Sequence, residues 1–158
     1  MRLGVISDTH GIVPPKVFEI FEQVDHIIHA GDLGTIDVLA ELEAVAPVTA
    51  VYGNVDGFDL RGRLPKVAHE ELYGLLVTVT HGDQFGQPNA VVLRREFPEA
   101  EVLIYGHTHR ARLKLVDKTV TVMNPGSPTQ PRGGHLPSVG IMELEPGLPP
   151  RARIVTVG

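Results

Sequence analysis

Residues 26–32 read His-Ile-Ile-His-Ala-Gly-Asp, a short apolar run that breaks off in a glycine and a carboxylate. A run this short, with β-branched residues and no polar alternation, is the pattern of a strand covered on both faces. The same construction recurs along the chain. Arg2–Ser7 runs into Asp8-Thr9-His10, Val48–Tyr52 into Gly53-Asn54, Leu75–Thr80 into His81-Gly82, and Val102–Tyr105 into Gly106-His107-Thr108-His109. Between these strands lie helix patterns. Pro14–Gln23 has prolines at its first turn and an apolar side of Val17, Ile20 and Phe21, while Thr35–Val45 opens on a threonine cap. Asn89–Phe97 is a third helix, stopped by Pro98. Further along, Arg112–Val116 alternates polar and apolar, Asp117-Lys118 is a tight turn, and Thr119–Met123 returns as its hairpin partner. Ser138–Leu144 and Ala152–Val157 are two more strands. A β-α-β-α-β opening followed mainly by strands predicts an α/β fold of packed sheets with helices outside, one domain over residues 1–158.

Composition narrows the function. A chain of 158 residues buries a core without staples, and with no cysteine it has neither disulfides nor thiolate chemistry. The net charge of −5 and the lack of a basic stripe argue against nucleic acid as a partner. The longest stretch free of charged residues, Thr119–Pro131, has 13 residues and three prolines, too short to cross a membrane. The sequence enters Leu3-Gly4-Val5-Ile6 with no leader pattern, so a cytoplasmic location is expected. Eight histidines stand beside five phenylalanines, three tyrosines and no tryptophan.

Ligand sites in α/β sheets gather at the carboxyl ends of the strands, where loops converge over one edge. Seven donors follow strands here: Asp8, His10, Asp32, Asn54, His81, His107 and His109. Asp32, Asn54 and His107 each follow a glycine, which permits close backbone approach. Two carboxylates, one amide and four imidazoles exceed what one ion uses, and suit two divalent ions of borderline hardness bridged by a carboxylate. Two such ions, Asp8, Asp32 and one bridging hydroxide leave a single positive charge, a receptor for a singly charged phosphodiester. Ions about 3.5–4 Å apart would acidify the water between them and clamp the phosphoryl oxygens during in-line attack.

The series Asp8-x-His10, Gly31-Asp32, Gly53-Asn54, His81-Gly82 and Gly106-His107-x-His109 resembles the calcineurin-like metallophosphoesterase superfamily. HAGD at 29–32, GHTH at 106–109 and NPGS at 124–127 are similar to its small bacterial and archaeal phosphodiesterase branch. The resemblance implies a β-sandwich of two mixed sheets flanked by helices, in αββα layers. It implies two divalent ions per chain, most often manganese, otherwise nickel, iron or zinc. Asp8, His10, Asp32 and His109 would hold the first ion; Asp32 would bridge, and Asn54, His81 and His107 would complete the second. Asp8, Asp32, Asn54 and His81 would then serve attack by the bridging hydroxide on a small-molecule phosphodiester.

Two positions depart from the family pattern. Many members place a proton-donating histidine after Gly-Asn, where this chain has Val55; leaving-group protonation is worth about 10²–10⁴ in rate. Many close relatives place a histidine after His-Gly, where this chain has Asp83, a proton donor, a support for a ligand, or a solvated loop residue. Asp56 either anchors a metal-bound histidine or caps its own loop. His29 is read as a core histidine; His26, His69 and His135 lie outside any motif. Asn124-Pro125-Gly126-Ser127 is turn chemistry that shapes the rim. Arg132 is either solvated or in reach of a substrate phosphate, and Arg94-Arg95 is a solvated face. A phosphomonoesterase is the alternative enzyme. The alternative class is a protein-binding scaffold, since the resemblance includes a retromer subunit with this fold and an altered metal site. Open strand edges in the C-terminal part leave room for a homodimer.

Overall fold

A computed structural model describes residues 1–158. The first sheet has the strand order β10-β9-β1-β2-β3. In it β1 (Arg2–Ile6), β2 (His26–His29) and β3 (Val48–Ala50) run parallel, and β9 (Ser138–Glu143) and β10 (Arg151–Thr156) add an antiparallel wing. The second sheet has the order β4-β5-β6-β8-β7. Here β5 (Leu75–Thr80), β6 (Val102–Ile104) and β8 (Val120–Asn124) are parallel, with β4 (Val67–Leu72) and β7 (Arg112–Val116) antiparallel at the edges.

Strand periodicity divides the apolar residues between layers. Leu3 and Val5 of β1, Ile28 of β2, Val77 and Val79 of β5, Val102 and Ile104 of β6 and Met123 of β8 fill one core between the sheets. Their neighbours face outward. Ile6 and Ile27 meet Val17 of α1 (Pro15–Ile20), Phe21 at its C-cap, and Val38 and Leu42 of α2 (Ile36–Glu43). On the other side Leu103, Tyr105 and Val122 meet Ala90 and Leu93 of α4 (Ala90–Glu96). Both faces of each central strand are therefore buried, which is why these strands read as unbroken apolar runs. The result is the expected sandwich with helices outside.

Several expected boundaries move inward. Ser7, Ala30, Tyr52 and Tyr105 lie just beyond their strands, where the chain leaves the ladder to form the site loops. The helices expected at Pro14–Gln23 and Thr35–Val45 are shorter, and Thr35 occupies the cap position without a side-chain capping bond. Strand β4 and the four-residue helix α3 (Phe58–Arg61) were not foreseen. β4 is an edge strand with an exposed His69-Glu70-Glu71 centre, so it presents no apolar run. It is set by its hairpin turn at Tyr73-Gly74, both with positive φ, the same device that joins β7 to β8 through Asp117 and Lys118. The edges β7 and β10 carry Arg112, Lys114, Arg151 and Arg153, charges of the kind that discourage edge-to-edge pairing.

Candidate metal centre

The parallel strands of both sheets deliver their following loops to one rim. Asp8 and His10 follow β1, Asp32 follows β2, Asn54 follows β3, His81 follows β5, and His107 and His109 follow β6. Ligand atoms of Asp8, His10, Asp32 and His109 all lie within 4.8 Å of one another. The Nε2 of His109 is 3.1 Å from Asp8 Oδ1 and 3.2 Å from His10 Nε2. The Nε2 of His10 is 3.8 Å from both Asp8 Oδ1 and Asp32 Oδ2. From the other sheet, His81 Nε2 comes to 3.1 Å from Asp32 Oδ2 and 3.8 Å from Asp8 Oδ1. Donors bound at about 2.1 Å to one ion stand roughly 3.0–3.4 Å apart; the His109–Asp8, His109–His10 and His81–Asp32 spacings fall in that range, and the three of 3.8 Å lie just outside it. His107 is peripheral, its ring 5.2 Å from that of His81. Asn54 is exposed, next to Val55, whose N–H reaches Asp32.

Asp8, Asp32, His81 and His109 are each aimed by a partner on the far side. Asp8 Oδ2 accepts from the Ser7 hydroxyl at 2.7 Å and the His107 N–H at 3.1 Å. His81 Nδ1 donates to the Ala30 carbonyl at 2.8 Å, and His109 Nδ1 donates to that of Gln130 at 2.6 Å. Both imidazoles thus turn Nε2 inward, the arrangement that orients metal-binding histidines. Asp32 Oδ1 accepts from the Val55 N–H at 3.0 Å and leaves Oδ2 facing the cluster. Two inward atoms, Asp8 Oδ1 and His81 Nε2, are buried and make no well-aligned hydrogen bond, although His81 Nε2 sits against Asp32. A buried unpaired polar atom costs about 1–3 kcal/mol, and divalent cations bound among these donors would satisfy both. The donor set fits such an ion.

The backbone is bent to serve the cluster. Asp8, His10, Asp32, His107 and His109 all have φ between 48° and 71°. This left-handed region costs a non-glycine residue roughly 1–2 kcal/mol, and strained residues of this kind collect at ligand clamps. Glycine makes the approach possible at two points. A Cβ at Gly53 would fall on Asp32 Oδ1, and one at Gly106 on Ser7 Oγ and Asp8 Oδ2.

Charge is strongly coupled here. Burial works against a charged His81, but contact with Asp32 and the charges of Asp8 and Asp32 outweigh it and raise its pKa to about 9. Burial alone would raise Asp32, yet His81, the Val55 N–H and His10 hold it below the usual carboxylate range. Burial and the neighbouring His81 push His107 down. His29 is fully buried and does not join the donors. Its Nδ1 accepts from the Gly31 N–H, so Nε2 donates to Thr9 Oγ1 at 3.0 Å, and burial drives its pKa down to about 3. It is the neutral core histidine expected.

Asp56 anchors no histidine. Its buried carboxylate accepts from the backbone N–H groups of Leu33, Gly34 and Gly53, at 3.3, 2.9 and 2.8 Å. It caps its own loop and also binds the Asp32 loop to the Asn54 loop. Asp56→Ala strands three backbone N–H groups, two of them buried, and is expected to cost roughly 3 kcal/mol, a fall of about 6–12 °C in thermal midpoint by calorimetry. Asp83 begins a short 3-10 turn (Asp83–Phe85), half-buried, and its charge reaches His107. Three groups outside the seven donors support them. Ser7 is one. Asn124 Nδ2 donates to Gly106 O and Thr108 Oγ1, bracing the loop that bears His107 and His109. Ser127 donates to the Asp8 carbonyl at 2.8 Å. The Asn124–Ser127 stretch therefore does more than shape the rim. Arg132 is exposed.

A family model of the calcineurin-like phosphoesterase superfamily domain matches residues 1–147. The chain belongs to this superfamily. A probable metallophosphoesterase of Methanothermobacter thermautotrophicus is 39% identical over 155 residues, covering 92% of this chain and 87% of the relative. A phosphodiesterase of Methanocaldococcus jannaschii is 34% identical over 161 residues, covering 92% and 94%. The crystal structure of Entamoeba histolytica Vps29 with Zn²⁺ superposes with a TM-score of 0.80 over 100% of both chains at 19% identity, a likeness of fold alone. The superfamily and the donor set together make the chain a metal-dependent phosphoesterase. No helix is long and apolar enough to cross a membrane.

Proposed function

We propose that the chain hydrolyses phosphodiesters at a dinuclear centre. Asp8, His10, Asp32 and His109 would hold one divalent ion, and Asn54, His81 and His107 together with Asp32 would hold the second, with manganese the ion used. The observation that carries this reading is the convergence of two buried atoms from opposite sheets, Asp8 Oδ1 and His81 Nε2, 3.8 Å apart, with His81 Nε2 3.1 Å from Asp32 Oδ2. When bound, the ions supply an activated water at neutral pH and neutralise charge on the phosphoryl oxygens. The protein's part is orientation. Ser7, Ala30 and Gln130 fix the donors, and Asp56 keeps the two loops of the first sheet in register.

Diester specificity follows from charge and from what stands at position 55. Two carboxylates against two divalent ions leave a net positive site, suited to a mono-anionic diester. Val55 is half-exposed at the rim and contributes only its N–H, to Asp32. Its side chain cannot protonate a leaving group, so esters with acidic alcohols are the natural substrates of this arrangement. The relatives named as phosphodiesterases support the same reading.

With the protein reconstituted in Mn²⁺, a bis-aryl phosphodiester is expected to be cleaved faster than the corresponding monoester; a faster monoester would contradict the reading. Val55→His is expected to speed hydrolysis of alkyl-leaving-group diesters by about tenfold or more while changing aryl esters little. Steady-state rates on a matched aryl and alkyl pair measure this.

A further inference from the structure

A cavity of about 220 Å³ opens beside the metal centre, and nothing in the chemistry described above uses it. One wall is the Gln87–Ala90 stretch that continues from His81 through the 3-10 turn into α4; the other is the start of β7 with Thr108 and Tyr105. Thr108 stands between His107 and His109, so its Cα lies about 3.8 Å from that of each. The cavity therefore shares a wall with the loop that carries two of the seven donors.

Three cations line it: Arg110, Arg112 and Lys114. Arg112 and Lys114 are two residues apart on β7, opposite Asn124 and Val122 of β8, so they share one face of the strand. No carboxylate lines the cavity, and none of the three cations takes part in an ion pair anywhere in the molecule. This is uncompensated positive charge in a chain of 19 acidic and 14 basic residues. Thr108 adds a donor: its Oγ1 already accepts from Asn124 Nδ2 and the Arg110 N–H, leaving the hydroxyl hydrogen uncommitted. Guanidinium, ammonium and hydroxyl donors lining one cavity without a counter-charge make a receptor for a tetrahedral dianion, since arginine binds phosphate through paired N–H bonds.

We propose that this cavity binds a second phosphate group, so that the substrate is a phosphodiester carrying a further phosphate on one of its alcohol components. The proposal rests on the phosphodiesterase reading and narrows its substrate class. Hydrolysis itself is unchanged: water adds to the scissile phosphorus, the ester P–O bond breaks, and the alcohol departs with one proton. The second phosphate is held and not cleaved.

The test compares two esters that differ only in that group, thymidine 5′-(4-nitrophenyl phosphate) with and without a 3′-phosphate. The 3′-phosphorylated ester is expected to have a kcat/KM roughly tenfold higher or more, chiefly through KM, and the preference should shrink as salt rises. In the double variant Arg112→Ala, Lys114→Ala the ratio should fall to within about twofold of one, while Lys114→Arg keeps it. A wild-type ratio near one, or the same ratio in the double variant, would overturn the proposal. Binding of thymidine 3′,5′-bisphosphate to the metal-stripped protein, by calorimetry, separates this from the hydrolase reading. There the double variant should bind about tenfold more weakly at an unaltered thermal midpoint. If neither ester is hydrolysed, the phosphodiesterase reading fails, and the cavity stands or falls on that binding difference; equal affinities would overturn it.

Discussion

Asp8→Asn is expected to abolish diester hydrolysis, by roughly 10³-fold or more, while leaving the fold intact. The substitution keeps shape. The amide oxygen can take the place of Oδ2 and accept from Ser7 and His107, as the carboxylate does. The NH₂ then faces inward in place of Oδ1, and a donor there cannot ligate a cation. In the metal-free protein it gains something instead. His109 Nε2 is an acceptor, because Nδ1 donates to Gln130, and it lies 3.1 Å from the position of Oδ1. Above pH 9, where His81 has lost its proton, the metal-free variant should match or exceed wild type in stability by about 1 kcal/mol, or 2–4 °C in thermal midpoint. Manganese should raise the midpoint of wild type and not of the variant. Thermal scans with EDTA and with Mn²⁺ decide this; a metal-free variant several degrees less stable than wild type would make Asp8 a structural residue.

The second large effect concerns His81. His81→Ala removes the donor that the second sheet brings to Asp32, and hydrolysis is expected to fall about 10²–10³-fold. It should also change the pH dependence. The folded pKa of His81 is raised from 6.5 to about 9. Its contribution to the stability of the metal-free protein is therefore complete below pH 6.5 and is lost as pH rises toward 9. A metal ion must displace that proton, so apparent affinity should climb about tenfold per pH unit over the same window. Thermal midpoints in EDTA and Mn²⁺ titrations at several pH values measure the two trends. Both should flatten in His81→Ala, and slopes identical to wild type would assign them to another group.

The framework was legible because its strands are buried on both faces. Leu3, Val5, Ile27, Ile28, Val102 and Ile104 divide between two cores, and no polar residue interrupts them. β4 escaped notice because an edge strand with Glu70 and Glu71 has only one face to cover. The seven donors were legible because aspartate, asparagine and histidine directly after an apolar run are unusual, and because aspartate and histidine tolerate the left-handed turns found at five of them. What holds those donors was not legible. Asn124 reaches the Gly106 carbonyl across 18 residues, a contact made when β6 pairs with β8, and Ser127 reaches Asp8 across 119, a contact that exists only once the two sheets have packed. Asp56 carried two readings in the sequence, and only the fold put Leu33 and Gly34 within its reach. The alternation of Arg112, Leu113, Lys114 and Leu115 was visible, but which face lined a cavity depended on β7 pairing with β8.

The most direct test is to strip the protein of metal, titrate Mn²⁺ back, and follow bound ions per chain and aryl phosphodiester turnover in the same samples. Two ions per chain are predicted, with no turnover in the stripped protein and turnover rising as the second ion binds. Full activity in the stripped protein, full activity with a single ion, or two bound ions without any turnover would contradict the account.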